Sequence, residues 1–159
     1  MVNRKILGAL LLSTLGLQAS SALAHDGRQY RHEFATYKTP DYGGDMASEA
    51  LRYIGAGNIT GRAGAWCAHF VNHIARLTGH ATVPSGMAYA MRGIGTPTQP
   101  QRGAIAYNYR HTGIVLSVEG STVTMVSGNN SHHRVGISHF PVSAFHYAWP
   151  RYNTQIASK

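Results

Sequence analysis

The spacing of apolar residues predicts three helices over residues 45–91. An apolar stripe behind Asp45 predicts a short helix through residue 54, with the Asp45 carboxylate as its N-cap and Gly55 at its end. A second stripe has apolar side chains at i, i+4, i+8 and i+11 and predicts a core-facing helix over residues 65–77. Its members are Trp66, Phe70, Ile74 and Leu77. Ser85 is the predicted cap of a third, shorter helix through residue 91.

The hydrophobic period changes near residue 103, and the segments that follow are typical of β-strands. The Gly- and Pro-rich residues 93–103 predict a loop. Strands are predicted over residues 103–107, 111–118, 122–127 and 144–149, with a hairpin turn at 119–121. Helices followed by an antiparallel sheet indicate an α+β domain.

The first 24 residues have the layout of a secretory signal peptide. Arg4 and Lys5 precede an apolar run over residues 6–17, and small residues at 22 and 24 form a cleavage site before His25. A membrane anchor is the alternative, but the run is shorter than the ~20 residues that cross a bilayer. We therefore expect export to the periplasm or the extracellular medium, with no stable membrane anchor after signal cleavage. Residues 25–44 are predicted to be an irregular arm, 45–152 the folded domain and 153–159 a tail.

Composition narrows the class of protein further. The chain has 159 residues, which suits one domain, and only 13% of them are charged, which excludes a coiled coil or a charged tail protein. Its net charge of +8 attracts an exported protein to anionic polymers such as cell-wall glycopolymers, although it also suits plain solubility. Nucleic acid is not expected as a partner, because the basic residues are scattered singly along the chain.

Cys67 is the only cysteine, which excludes an internal disulfide and a Cys-rich zinc site. Its predicted place in the first turn of a helix brings the thiol close to unpaired backbone amides and to the positive end of the helix dipole, which favours the thiolate. The same amides can donate to the oxyanion that forms when a thiolate attacks a carbonyl. We favour this nucleophile over the alternative role, a small buried apolar side chain.

A cysteine nucleophile needs a base, and the chain has 10 histidines. His111 is the best candidate because it opens a predicted strand directly after a loop. A three-residue turn at 119–121 places His111 opposite Asn129, and a two-residue turn places it opposite Gly128. Asn129 lies near the imidazole in both registers. Cys67, His111 and Asn129 are therefore the candidate nucleophile, base and orienting residue.

Three motifs resemble those of the CHAP superfamily (cysteine, histidine-dependent amidohydrolase/peptidase), in its small exported bacterial branch, which is related to NlpC-type cell-wall peptidases. They are Trp66-Cys67-Ala68-His69-Phe70, His111-Thr112-Gly113 and Ser127-Gly128-Asn129. Together with residues 103–106 and 147–150, they follow the family's order over roughly residues 46–150. The resemblance implies a papain-like α+β fold in which N-terminal helices, with the nucleophile at a helix start, pack on an antiparallel β-sheet.

The resemblance also implies hydrolysis of amide bonds in peptidoglycan without a cofactor. By motif position, Cys67 is implied as the nucleophile, His111 as the base and Asn129 as the orienting residue. Many relatives have an acid or a second histidine in the third role, so His132 or His133 could take the place of Asn129.

We therefore predict a monomeric cysteine amidohydrolase or peptidase acting on peptidoglycan, either an N-acetylmuramoyl-L-alanine amidase or a peptide endopeptidase. Two alternatives stay open. One is an exported His-rich metal-binding protein, because cleavage before His25 would leave an amine-plus-imidazole ligand and because His69 and His73 have the spacing of a helical metal pair. The other is a non-catalytic cell-wall-binding module of the same fold.

Overall fold

Residues 45–154, which the computed structural model describes, form an α+β domain, as predicted. The predicted signal peptide at 1–24, the arm at 25–44 and the tail after residue 154 lie outside the described residues. Two helices precede the sheet: α1 (Met46–Leu51) and α2 (Cys67–Leu77). The strands are β1 (Gly95–Pro97), β2 (Ile105–Tyr107), β3 (Thr112–Glu119), β4 (Thr122–Ser127), β5 (Gly136–Pro141) and β6 (His146–Pro150). Short 3-10 helices occur at Ala88–Gly93, Ser131–His133 and Val142–Ala144.

Asp45 caps α1 as predicted, because its carboxylate accepts hydrogen bonds from the backbone amides of Ala47 and Ser48. The same carboxylate forms an ion pair with Arg102, at 2.8 Å, which ties the start of α1 to the segment before β2. The helix ends at Leu51, earlier than the predicted residue 54, and the chain leaves it through a series of turns.

Helix α2 has the predicted apolar face against the sheet. Trp66, Phe70 and Ile74 are almost fully buried. Leu77 does not belong to the core: it is 53% exposed, because it is the last residue of α2 and lies beyond the buried stretch that ends at Ala75. The predicted third helix is a 3-10 helix, Ala88–Gly93, and its N-cap is Met87 and not Ser85 as predicted. The hydroxyl of Ser85 accepts a hydrogen bond from the Met87 amide at 3.1 Å, in the turn before this helix.

The sheet is antiparallel, with the strand order β1-β6-β2-β3-β4-β5. Sequence analysis missed the two edge strands. It predicted a loop where β1 pairs with β6, and it predicted nothing where β5 pairs with β4. Both strands pair on one side only and contain a proline, so their sequences lack the apolar alternation of a buried strand.

The β3–β4 hairpin has a two-residue turn, since Glu119 pairs with Thr122. A β-bulge between Val115 and Ser117 then shifts the register by one residue, so that Val115 pairs with Met125. The three-residue turn is therefore wrong. Beyond the bulge, however, the residues pair as they would with a three-residue turn.

The two faces of the sheet contribute to separate apolar clusters. The helices cover one face, where Ile105, Ile114 and Leu116 pack with Phe70 and Ile74 of α2. A smaller cluster occupies the other face and contains Ala104, Ala106, Val115, Val123, Met125, Phe145 and Tyr147. Within residues 45–154, no helix is long and apolar enough to cross a membrane.

Candidate active site

Cys67 is the first residue of α2, and its side chain is buried, with 3% of its surface exposed. The sulfur accepts hydrogen bonds from the backbone amide of Thr112 at the start of β3 and from the amide of Ala68 in the first turn, and the Cys67 amide also lies beside it. Thr112 directly follows His111. The hydrogen bond from Thr112 therefore joins the helix that carries the thiol to the strand that follows the histidine.

Burial raises the pKa of the Cys67 thiol above its ordinary value, although the three amides act in the opposite direction. The expectation of a depressed pKa at the helix start is therefore wrong for this site. Helix amides stabilise a thiolate, but taking a charge out of water costs more free energy here than the amides return. The thiol is neutral at pH 7 until a base removes its proton.

His111 lies in the connection between β2 and β3, and Asn108 holds this connection in place. The Asn108 side-chain oxygen accepts hydrogen bonds from the amides of Arg110 and His111, both at 2.8 Å, and its side-chain nitrogen donates to the carbonyl of Ala144. Burial lowers the pKa of His111 below its ordinary value. The imidazole is therefore neutral at pH 7, which is the protonation state that a general base requires.

Ser127, the last residue of β4, is the partner of the His111 ring. Its hydroxyl lies 2.9 Å from Nε2 of the imidazole, and the side chain of Ser127 is fully buried. Gly113 lets β3 and β4 lie close together beside this contact. A Cβ atom at Gly113 would lie 2.7 Å from the carbonyl oxygen of Val126 and 3.1 Å from the Cβ of Ser127, so a larger residue would push β3 and β4 apart.

Asn129 has a different hydrogen-bond partner. Its side-chain oxygen lies 3.0 Å from Nδ1 of His133, and its backbone is in the left-handed region, with φ 53°. His132 and His133 have positive φ as well, at 58° and 53°. The chain therefore leaves the direction of β4 at this point, and the structure shows no hydrogen bond from Asn129, His132 or His133 to the His111 ring. The orienting role of Asn129 stays a prediction.

Gly128 brings the end of β4 against the start of α2. A Cβ atom here would lie 2.4 Å from the Trp66 ring and 2.6 Å from the Cβ of Phe70, so only glycine allows this approach. Trp66 directly precedes Cys67. The first residues of α2, the start of β3 and the end of β4 therefore lie against one another. The structure shows the Thr112 amide beside the Cys67 sulfur but no hydrogen bond between that sulfur and the His111 ring. The His111 ring lies 6.3 Å from the ring of Phe140, which packs with the apolar cluster on the other face of the sheet.

Sequence analysis missed Ser127. Its signal was present in the register, because the pairing that places His111 opposite Asn129 also places Gly113 opposite Ser127, on the same face of the sheet. A glycine opposite a small polar residue leaves space between the two strands. The side chain of the histidine two positions before that glycine can then reach the polar residue. Ser127 lies diagonally across from His111, while Asn129 is the residue directly opposite in that register.

The structure holds groups of the kind that nucleophilic catalysis uses. A neutral imidazole held by a serine hydroxyl is a base, and backbone amides at a helix start can stabilise an anion. Within residues 45–154, no three side chains of the His, Cys, Asp or Glu type gather as a metal site. Of the histidines considered as metal ligands, His69 and His73 line one cleft on α2, and His25 lies outside the described residues.

Comparison with other proteins adds little to these observations. No family model and no curated protein matches the sequence. Among solved structures, the crystal structure of Ly7917 is similar, with 16% sequence identity and a TM-score of 0.48. The match covers 67% of this chain and 61% of that chain, so this chain spans less than two thirds of the length of Ly7917. The α+β class of residues 45–154 therefore rests on the chain's own elements.

Proposed function

We propose that the protein is an exported, papain-like cysteine hydrolase that cleaves amide bonds in peptidoglycan. The observation that carries the proposal is the hydrogen bond from the Thr112 amide to the Cys67 sulfur, since it ties the only thiol to the residue next to His111. The His111 ring is in turn anchored by Ser127 at 2.9 Å. A nucleophile, a base and a group that fixes the base are the parts of a cysteine hydrolase.

The proposed cycle begins with the neutral pair of thiol and imidazole. As the sulfur attacks the amide carbonyl, His111 takes the thiol proton, and the resulting imidazolium protonates the leaving amine. Amides in the first turn of α2 stabilise the oxyanion. Water then hydrolyses the thioester, with the neutral imidazole again as the base. The cycle uses no cofactor.

The substrate class comes from the motif resemblance and from charge. The full chain carries +8, and most of this charge lies outside the predicted signal peptide, where only Arg4 and Lys5 are charged. A basic exported protein suits an anionic wall polymer, and the motifs around Cys67, His111 and Ser127 resemble those of enzymes that cut peptidoglycan. Both an N-acetylmuramoyl-L-alanine amidase and a peptide-crosslink endopeptidase agree with this chemistry. The protein would act as a monomer in the periplasm or outside the cell, without nucleic acid as a partner.

Digestion of purified sacculi tests the proposal. The mature protein should release soluble fragments whose masses identify the bond that is cut, and Cys67→Ser and His111→Ala should release none. A chelator should leave the rate unchanged. Lysis by a folded Cys67→Ser variant at the wild-type rate would refute the proposal, and loss of activity on chelation with recovery on adding zinc or copper would favour the metal-binding alternative.

A further inference from the structure

A cleft of about 530 Å³ lies on the outer side of α2 and has no part in the proposed reaction. Four of its lining residues, His69, Asn72, His73 and Arg76, have the i, i+3, i+4, i+7 spacing of a single helix face. Cys67 lies on the opposite face of the helix, against the sheet, so the cleft and the thiol are on different sides of α2.

Two positive charges line the cleft. They belong to Arg62 and Arg76, and no Asp or Glu is among the lining residues. In the described part of the chain, the side-chain ion pairs are Arg52–Glu49 and Arg102–Asp45, so neither Arg62 nor Arg76 is neutralised by a carboxylate there. Burial and the neighbouring Arg76 charge lower the pKa of His73, and Glu49 opposes this from outside the cleft.

The walls of the cleft are held in place before any ligand binds. Asn72, which is buried, accepts a hydrogen bond from the Val83 amide and donates to the Val83 carbonyl, both at 2.8 Å, and this fixes the wall at residues 82–86. On the opposite wall, Asn58 donates to the Arg62 carbonyl at 2.7 Å and accepts from the Thr60 amide at 3.0 Å. A ligand therefore meets a formed site and loses little affinity to loop ordering.

Gly86 shows how closely the parts of the cleft fit. A Cβ atom at this position would lie 2.5 Å from Nε2 of His69, so the glycine lets the imidazole lie directly on the backbone of the 82–86 wall. The His69 ring is thereby held at one edge of the cleft, between the helix and this wall.

We propose that this cleft is a binding site for a phosphate group. Polar donors reach it from three sides: Arg62 from the first loop, His69, His73 and Arg76 from the helix, and Ser85 from the second loop. A tetrahedral phosphate presents acceptor oxygens in several directions, and arginine forks match those oxygens in pairs. A carboxylate is planar and carries one charge, so it would meet donors from only part of the wall.

The test is a titration of the purified protein with inorganic phosphate, followed by NMR of the histidine ring signals. Phosphate should shift the signals of His69 and His73 saturably and raise the pKa of His73, whereas acetate at equal ionic strength should not. Removing both arginines in Arg62→Gln/Arg76→Gln should weaken phosphate binding at least about tenfold, since each charged hydrogen bond contributes on that order.

A matched control separates a site from overall charge. Arg110→Gln removes a positive charge outside the cleft and should leave phosphate affinity within about twofold of wild type, because distant exposed charges are screened by salt. All variants are first compared by thermal unfolding to confirm that they fold. Equal responses to acetate and phosphate, or equal losses in the cleft and control variants, would overturn the proposal.

Vesicles distinguish the source of the phosphate. If the wild-type protein sediments with anionic phospholipid vesicles but not with phosphatidylcholine vesicles, and Arg62→Gln/Arg76→Gln does not sediment, the phosphate belongs to a lipid headgroup. If phosphate shifts the histidine signals and no vesicles are bound, the ligand is a soluble or polymer-borne phosphate. Both results support the site, and neither depends on hydrolytic activity.

Discussion

Burial sets the chemical state of both Cys67 and His111. It raises the pKa of the thiol and lowers the pKa of the imidazole, so both side chains are uncharged at pH 7. Two buried groups that stay neutral avoid the desolvation cost of two buried ions. The proposed enzyme therefore begins its cycle without a preformed thiolate, and His111 must act as a true general base.

The thiol titration follows from this state. The thiolate absorbance near 240 nm should rise only above pH 9.0, the ordinary value of the thiol, because burial penalises the charged sulfur. Alkylation by iodoacetamide should follow the same pH dependence. Cys67→Ser is the blank for both measurements. A thiolate signal that is already complete at pH 6 would show a preformed ion pair instead.

Replacing Ser127 tests which residue orients the base. Ser127→Ala should lower kcat on sacculi about tenfold and leave KM unchanged, since positioning of a catalytic group contributes up to ~10² in rate. Asn129→Ala should have a smaller effect, because Asn129 is hydrogen-bonded to His133 and not to the His111 ring.

Ser117→Ala is the matched control for this comparison, since it makes the same change in β3, in a half-buried position away from the site. Its kcat should equal that of the wild type. If Ser127→Ala has the wild-type kcat and Asn129→Ala has a lowered kcat, Asn129 is the residue that orients the base. If His133→Ala is the slow variant, the role belongs to that histidine.

At the scale of secondary-structure elements, the contact between the end of β4 and the start of α2 assembles the site. Gly128 lies directly on the ring of Trp66, and Trp66 is the N-cap of the helix that Cys67 begins. The bulge in β3 sets which residues of β3 and β4 pair at the end of the hairpin that lies near α2. The position of the thiol relative to His111 therefore depends on backbone packing between these elements.

Gly128→Ala tests this dependence. The added methyl group would overlap the Trp66 ring and the Phe70 Cβ, so we expect a loss of about 1–3 kcal/mol in the free energy of unfolding, as for other overpacked cores. Sacculus hydrolysis should fall as well, because relief of the overlap moves the start of α2.

Urea unfolding and initial rates measure the two effects. Gly57→Ala is the control: no atom lies within 4 Å of the added Cβ and φ is not positive, so the stability should hardly change. Equal stability and equal activity of the two alanine variants would contradict the proposed role of the Gly128 contact.

At the scale of the whole molecule, several partly or fully buried histidines make the stability depend on pH. Burial lowers the pKa of His73, His80 and His111 below their ordinary value of 6.5. The unfolded chain therefore binds these protons at a higher pH than the folded chain does. Their contribution to stability is complete above pH 6.5 and is lost as the pH falls through the folded pKa values.

Calorimetry should therefore show a lower Tm at pH 5.5 than at pH 7.5. His80→Gln should flatten this dependence, because His80 is 8% exposed and is one of the groups that cause it. Asp45 acts in a separate window: its pKa, although raised by burial, is lowered overall by Ser48, Arg102 and Ala47, so its contribution is lost only below pH 3.8. A Tm that is higher at pH 5.5 than at pH 7.5 would contradict the predicted direction of this pH dependence.

The features that could be predicted from the sequence depend on residues close together in the chain. The Asp45 cap, a helix with Cys67 in its first turn, the bounds of β4 and the α+β class follow from hydrogen bonds and apolar spacing within a few positions. Such features need no knowledge of distant partners, since the helical and strand periods already determine which side chains share a face.

Other features depended on tertiary structure. The edge strands β1 and β5 exist because distant strands pair with them, and the bulge in β3 changed a register that turn length alone had placed one residue away. The ring of His111 has Ser127 as its partner, and Gly113 lets the two strands lie close together beside this contact. Burial, which no local pattern measures, raised the pKa of a thiol that its helix position alone would have lowered. Desolvation depends on everything packed around a group, and only the folded chain determines that.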